Sequence, residues 1–214
     1  MFNQEDEPFY RTKWYHVSHA LLMLLMLIFS SLAVYYFETQ VPTFDTEFDT
    51  KAALGYIEQM SKTPHHVNSE ENVLVFEYIK KFADDLKQNS IHEIEVQVDR
   101  QLLEKKASIP TIFDVRNLLV LIKSKRTDDC LMVSTHYDTK SMTFGTFDNS
   151  VGVGVAMQLL KHMALSDGTL EYSLLFNFNN AEEIGLFGAS TFVKTELSKR
   201  VKGFINLGIW SFIL

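Results

Sequence analysis

The hydrophobic pattern divides the chain into two unlike parts. Val17 to Phe37, "VSHALLMLLMLIFSSLAVYYF", contains no Asp, Glu, Lys or Arg over 21 residues. That length suits one helix across a bilayer. Tyr35 and Tyr36 at its end fit an interfacial aromatic belt. A cleaved signal peptide is the rival reading, but its apolar core is usually shorter and a small-x-small cleavage site is not obvious after Ser31. Arg11 and Lys13 precede the span, and the next basic residue is Lys51. An excess of Lys and Arg marks the cytosolic side. The pattern therefore predicts a cytosolic tail (1–16), a transmembrane anchor (17–37), a connector (38–50) and a lumenal domain (51–214).

Within the domain the period changes twice. "FDTKAALGYIEQMSK" spaces Ala53, Ile57 and Met60 like one helix face. "NSEENVLVFEYIKKFADDLKQNS" predicts a second helix, with Asn68 or Ser69 as its cap and Val73, Phe76, Ile79 and Phe82 as its stripe. "IHEIEVQVDR" alternates like a half-exposed strand. "RNLLVLIKS", "CLMVSTHYD" and "YSLLFNFNNA" are short, nearly continuous apolar runs, which suit strands covered on both faces. Between the last two lies a glycine-opened apolar helix, "VGVGVAMQLLKHMAL". "EIGLFGASTFVKTEL" predicts a further helix and "KGFINL" a further strand. Strands alternating with helices argue for an α/β sandwich on a largely parallel sheet.

Composition narrows the function classes. The hydrophobic fraction is 46% and the charged fraction 22%, ordinary for a chain with a real core. A net charge of −7 without a basic stripe argues against nucleic-acid binding. The one cysteine, Cys130, cannot form an internal disulfide and reads as a buried apolar residue.

In such sheets, ligand sites lie at the carboxyl ends of strands. Three segments with acids or histidine fall there. "STHYDTK" carries His136 and Asp138, "GTFDNSVGVGVA" carries Asp148, and "NNAEEIGLFGAS" carries Glu182 and Glu183. Each has a bland reading: a surface His with a nearby Asp, a helix N-cap at Asp148, a solvated Glu pair. Together, His136, Asp148 and Glu183 supply the nitrogen and oxygen donors that zinc accepts. Asp148 can bridge two metals, and Glu182 can serve as general base for a bound water. A cation would compensate carboxylates that otherwise crowd at a cost.

The order His-x-Asp, Asp before a glycine-opened helix, then Ala-Glu-Glu-x-Gly-Leu-x-Gly resembles the M28 family of zinc peptidases. The anchor and "FINL" after the Glu-Glu motif resemble its membrane-bound branch, which includes the endoplasmic reticulum metallopeptidase and the fungal vacuolar membrane protease. The resemblance implies a three-layer zinc-peptidase sandwich and a membrane-anchored metallopeptidase, an aminopeptidase acting on peptide or protein substrates. It implies two zinc ions. His136 binds one, Asp148 bridges, Glu183 binds the other, Glu182 is the base and Asp138 orients His136. The implied location is the endoplasmic reticulum membrane, with the vacuolar membrane as the alternative.

The chain also departs from the family pattern. Asn149 stands where a second Asp is common, Gly208 stands where an acid binds the second zinc, and a downstream histidine ligand has no counterpart. These departures predict an incomplete domain of weak or no activity, with "GIWSFIL" as the end of an alternative transcript or incomplete gene model. Two other readings remain. A glutaminyl-peptide cyclase shares the fold, and a non-catalytic binding or regulatory homologue would keep the fold without metals.

Overall fold

In a computed structural model, residues 13–39, 48–105 and 110–208 are described. Most of the expected cytosolic tail, residues 40–47 of the connector and the stretch "IWSFIL" lie outside them. The chain divides into two units, Met1–Thr46 and Glu47–Leu214.

In the first unit, α1 (Lys13–Thr39) is a single helix that contains the predicted span. Its apolar stretch Trp14–Tyr36 is 23 residues, none of them buried. At 1.5 Å per residue this is about 35 Å, enough for the ~30 Å apolar layer of a bilayer. By length and composition it is the one candidate membrane span among the described residues.

The second unit is built on a five-stranded sheet in the order β1-β2-β4-β3-β5. The strands are β1 (Ile94–Lys105), β2 (Thr111–Ile122), β3 (Cys130–His136), β4 (Ser173–Asn179) and β5 (Val201–Asn206). β3 runs parallel to β4 and to β5, while β2 is antiparallel to both β1 and β4. Four strands therefore share one direction and β2 opposes them. The carboxyl ends of β3, β4 and β5 meet along one edge, with His136 opposite Asn179 and Ser134 opposite Asn206.

One face of the sheet is covered by α2 (Thr50–Met60), α3 (Glu70–Asn89) and α4 (Val151–Leu165). The helices start as capping chemistry requires. Asp49 accepts from Ala52 N at 2.9 Å, and Ser69 accepts from Asn72 N at 3.0 Å. Asn68 is not the cap. It takes a left-handed φ of 69° and bonds Ile112 O and Asp114 N across to β2. The buried stripe of α3 is Val75, Phe76, Ile79, Ala83 and Leu86. Val73 and Phe82 of the predicted stripe are only half-buried, because the helix presents its Val75 edge to the sheet while Phe82 packs on Tyr56. This layer, with Leu118, Val120, Ile122, Phe176 and Phe178 beneath it, forms the main core.

The other face is covered in part by α5 (Phe187–Phe192), whose Phe192 meets Leu119, Leu121, Cys130 and Leu175. The helix predicted over 183–197 is thus one short helix and a separate turn, Leu197–Arg200. The reason is local. Gly185 (φ 129°) and Leu186 (φ 59°) are left-handed and break helix continuity before Phe187. Gly188 lies so close to Asn180 O that a Cβ there would stand 2.2 Å from it.

Candidate functional site

The site begins at the carboxyl end of β3. His136 is buried, and its Nδ1 lies 3.1 Å from the backbone oxygen of Asp138. A carbonyl can only accept, so in the neutral ring Nδ1 holds the proton and Nε2 keeps its lone pair. Nε2 faces Asp148 Oδ1 at 3.2 Å. Burial alone lowers the basicity of His136, but Asp138, Glu182 and Asp148 outweigh it and hold the imidazole up at about 8.

Asp138 is fully buried, and its carboxylate does more than face the histidine, whose Nδ1 is 3.6 Å from its Oδ1. The two oxygens accept the backbone N–H groups of Glu182 and Glu183, each at 3.1 Å. One carboxylate thereby joins the end of β3 to the loop that follows β4. This clamp orients both glutamates through their backbone, a role that no spacing in the sequence indicates.

Asp148 sits on the turn Thr146–Ser150, two residues ahead of the cap of α4, which is Ser150. The N-cap reading of Asp148 is therefore corrected: its side chain is turned to His136 and is 47% exposed. Asn149 beside it is buried and donates to Thr135 Oγ1 (2.9 Å) and to Leu207 O (2.6 Å). An ionised aspartate is acceptor-only and could not bond Leu207 O. The departure at Asn149 thus serves to fasten the Asp148 turn to the chain after β5.

Glu182 and Glu183 occupy a loop held by buried amides. Asn180 donates to Asn72 Oδ1 at 3.0 Å and receives from Asn72 Nδ2 at 3.3 Å. Its own Oδ1 accepts Ala181 N, its N donates to Asn117 Oδ1, and Asn117 donates onward to Gly188 O and Thr191 Oγ1. Glu183 is nearly buried, and Lys140 Nζ lies 3.4 Å from its Oε2. Burial raises the Glu183 carboxyl above the usual range; Lys140 counteracts this, while Asp148 and Glu182 add to it. The crowding anticipated for the adjacent acids is present.

These groups open into one cleft of about 1020 Å³. It is lined by His136, Asp148, Glu182 and Glu183, by Lys140, by Ser134, Asn177, Asn179 and Asn206, and by Leu186, Phe192, Val193 and Phe204. The five residues singled out from sequence are therefore gathered at one place, with Asp138 beneath and the other four on the wall. Gly208 also lines the cleft. Sequence reasoning missed Lys140, the polar floor and the Asn72–Asn117–Asn180 network. The floor had a signal: in "LFNFN" of β4, Asn177 and Asn179 alternate with Phe176 and Phe178 and so face the other side.

The donor set suits a hard or borderline dication in kind: one imidazole nitrogen with its tautomer fixed, and carboxylates that burial and mutual repulsion burden. His136 and Asp148 already touch. Among the described residues, no group of three or more His, Cys, Asp or Glu is close enough together to hold a metal ion. The donors fit as chemistry, and in this structure Glu183 is paired with Lys140.

Comparison with known proteins places these observations. Residues 117–211 match Peptidase family M28. The vacuolar membrane protease of Candida dubliniensis is 31% identical over 153 residues, which are 71% of this chain and 16% of that protein. The chain thus spans less than a quarter of the curated relative it matches. Among solved structures, a zinc aminopeptidase from Bacillus subtilis superimposes with a TM-score of 0.61 at 15% identity, covering 75% of this chain and 69% of that one. A glutaminyl cyclase from Porphyromonas gingivalis gives 0.61 at 15% identity, covering 74% and 58%. Both likenesses establish the fold.

Proposed function

We propose that this chain, a member of Peptidase family M28 through residues 117–211, carries the catalytic cleft of a membrane-anchored, zinc-dependent aminopeptidase. One observation carries the reading: His136, Asp148, Glu182 and Glu183 converge on a single cleft from the ends of β3 and β4 and from the turn before α4. The similarity to a vacuolar membrane protease supports a protease at a membrane, and the zinc aminopeptidase fold supports the metal.

His136 and Asp148 would hold one zinc, and Asp148 and Glu183 the other. Bound there, zinc supplies Lewis-acid polarisation of a peptide carbonyl and of a water. The chain's own residues do the rest. Asp138 holds the backbone of both glutamates, which fixes where their carboxylates enter the cleft. Glu182 accepts the proton of the attacking water and returns it to the leaving amine as the C–N bond breaks. The apolar wall of Leu186, Val193 and Phe204 receives substrate side chains.

The domain organisation follows from the basic residues before the span: tail in the cytosol, catalytic domain in a lumen. The relatives' name favours a vacuolar membrane over the endoplasmic reticulum.

Zinc content tests this reading. The full chain in detergent, loaded and then dialysed, is expected to retain zinc, to lose it in Asp148→Ala, and to release an aminoacyl fluorophore weakly at most, since Gly208 stands where an acid would complete the second zinc site. Absence of retained zinc in the wild type would overturn it and favour a binding homologue. The glutaminyl cyclase fold match supports a second reading. Retained zinc with turnover of a glutaminyl peptide, and none of the aminoacyl substrate, would establish that one instead.

A further inference from the structure

Lys140 is the one lysine or arginine lining the cleft among the described residues, against three carboxylates, Asp148, Glu182 and Glu183. Its backbone is fixed on both sides. Thr139 N donates to His65 O, and Thr139 Oγ1 accepts from His65 N at 3.0 Å. Thr143 N and Oγ1 both donate to Lys140 O, at 3.2 and 3.3 Å. The anchor residue His65 is itself buried, with Nδ1 2.9 Å from Thr63 O. The side chain, by contrast, is 66% exposed and reaches into the cleft to within 3.4 Å of Glu183 Oε2. An exposed ammonium on a hydrogen-bonded base therefore lines the cleft, paired with one carboxylate.

That tether is conditional on the charge of Glu183. A lysine ammonium is a compact point charge that pairs with whichever anion is best placed. Once Glu183 is engaged by another cation, its pull on Lys140 falls and like charge repels the ammonium toward the open cleft. We propose that Lys140 then forms a carboxylate subsite: the zinc-loaded protein prefers peptides that carry a carboxylate beside the bound amide. This rests on the metallopeptidase reading and deepens it by naming a substrate class. The carboxylate can come from an acidic side chain or from the free C-terminus of a short peptide.

Calorimetry on the full zinc-loaded chain in detergent tests it, with three N-acetylated ligands that an aminopeptidase cannot trim. They are acetyl-Ala-Ala-amide, acetyl-Ala-Ala with a free C-terminus, and acetyl-Ala-Glu-amide. One charge-assisted hydrogen bond predicts about tenfold tighter binding of a carboxylate ligand. The second ligand gaining identifies a C-terminal seat, and the third a side-chain seat. Lys140→Met is expected to erase the preference and Lys140→Arg to keep it, with zinc content unchanged in both. Equal binding of all three ligands to zinc-loaded wild type overturns the inference and leaves the metallopeptidase reading standing. So does a preference that survives Lys140→Met. Failure of the wild type to hold zinc overturns both, and the zinc measurement alone distinguishes that case.

Discussion

The two faces of the sheet are made of the same strands and behave as opposites. On the helix-covered face, Leu118, Val120, Ile122, Phe176 and Phe178 lie under α3 and α4, each at 1% exposure or less. On the other face the same strands show Leu119, Leu121 and Leu175 under α5, and then Ser134, Asn177, Asn179 and Asn206 on the cleft floor. Side chains alternate along a strand, so one register serves both purposes. The first face holds the fold and the second holds the chemistry. Changes to the first should cost stability, and changes to the second should cost binding.

The largest effect expected is at the covered face. Phe176→Ala removes a fully buried ring from the main core. Such truncations cost about 3–5 kcal/mol. Chemical denaturation of the detergent-solubilised chain should show this, with the unfolding midpoint falling before zinc affinity does in the surviving folded fraction.

A smaller effect is expected where the faces meet. Asn180→Leu deletes the bonds to Asn72 and Ala181 N and leaves buried partners unpaired, each costing about 1–3 kcal/mol. It also frees the loop that carries Glu182 and Glu183. A loss of about 2–3 kcal/mol accompanied by weaker zinc retention is expected. Lost stability with unchanged zinc retention would show that the loop is held by Asp138 alone.

Smaller again is the acid response at the far end of β2. Arg100 and Arg116 beside Asp114 hold its carboxyl down at about 2. A depressed folded pKa gives stability that is present above the ordinary carboxylate range and lost as pH falls through the folded value. The window is therefore between about pH 4 and pH 2. Arg100 is largely exposed, so solvent screening reduces the contribution to about 1 kcal/mol. Wild type should exceed Asp114→Asn by that amount at pH 5, and most of the gap should be gone at pH 2. A gap undiminished at pH 2 would mean that the pair acts by packing.

Much of this was legible in the sequence because chemistry and period agreed. The long apolar helix α1, the α/β alternation and the five acid and histidine positions all follow from local pattern. What was not legible depended on geometry between distant segments. Nothing near Asp138 says that its oxygens cap Glu182 N and Glu183 N, since the partner lies 44 residues away. The reversed direction of β2 is likewise a pairing fact, invisible in "RNLLVLIKS". The polar floor was written in "LFNFNN" as an alternation, but reading the run as continuously apolar hid it.

The smallest expected effect is also the sharpest test of the comparison. Phe204 lies opposite Met132 on the cleft side of β5 and is 66% exposed. Phe176 and Phe204 are the same residue type on strands of one sheet, so their difference isolates the face. If the cleft face is open in solution, Phe204→Ser removes little buried area and should change stability by no more than about 0.5 kcal/mol. A loss near that of Phe176→Ala would mean that a further layer covers this face in solution. The cleft would then be narrower than its 1020 Å³, and the contrast between a structural and a chemical face would hold only for its polar floor.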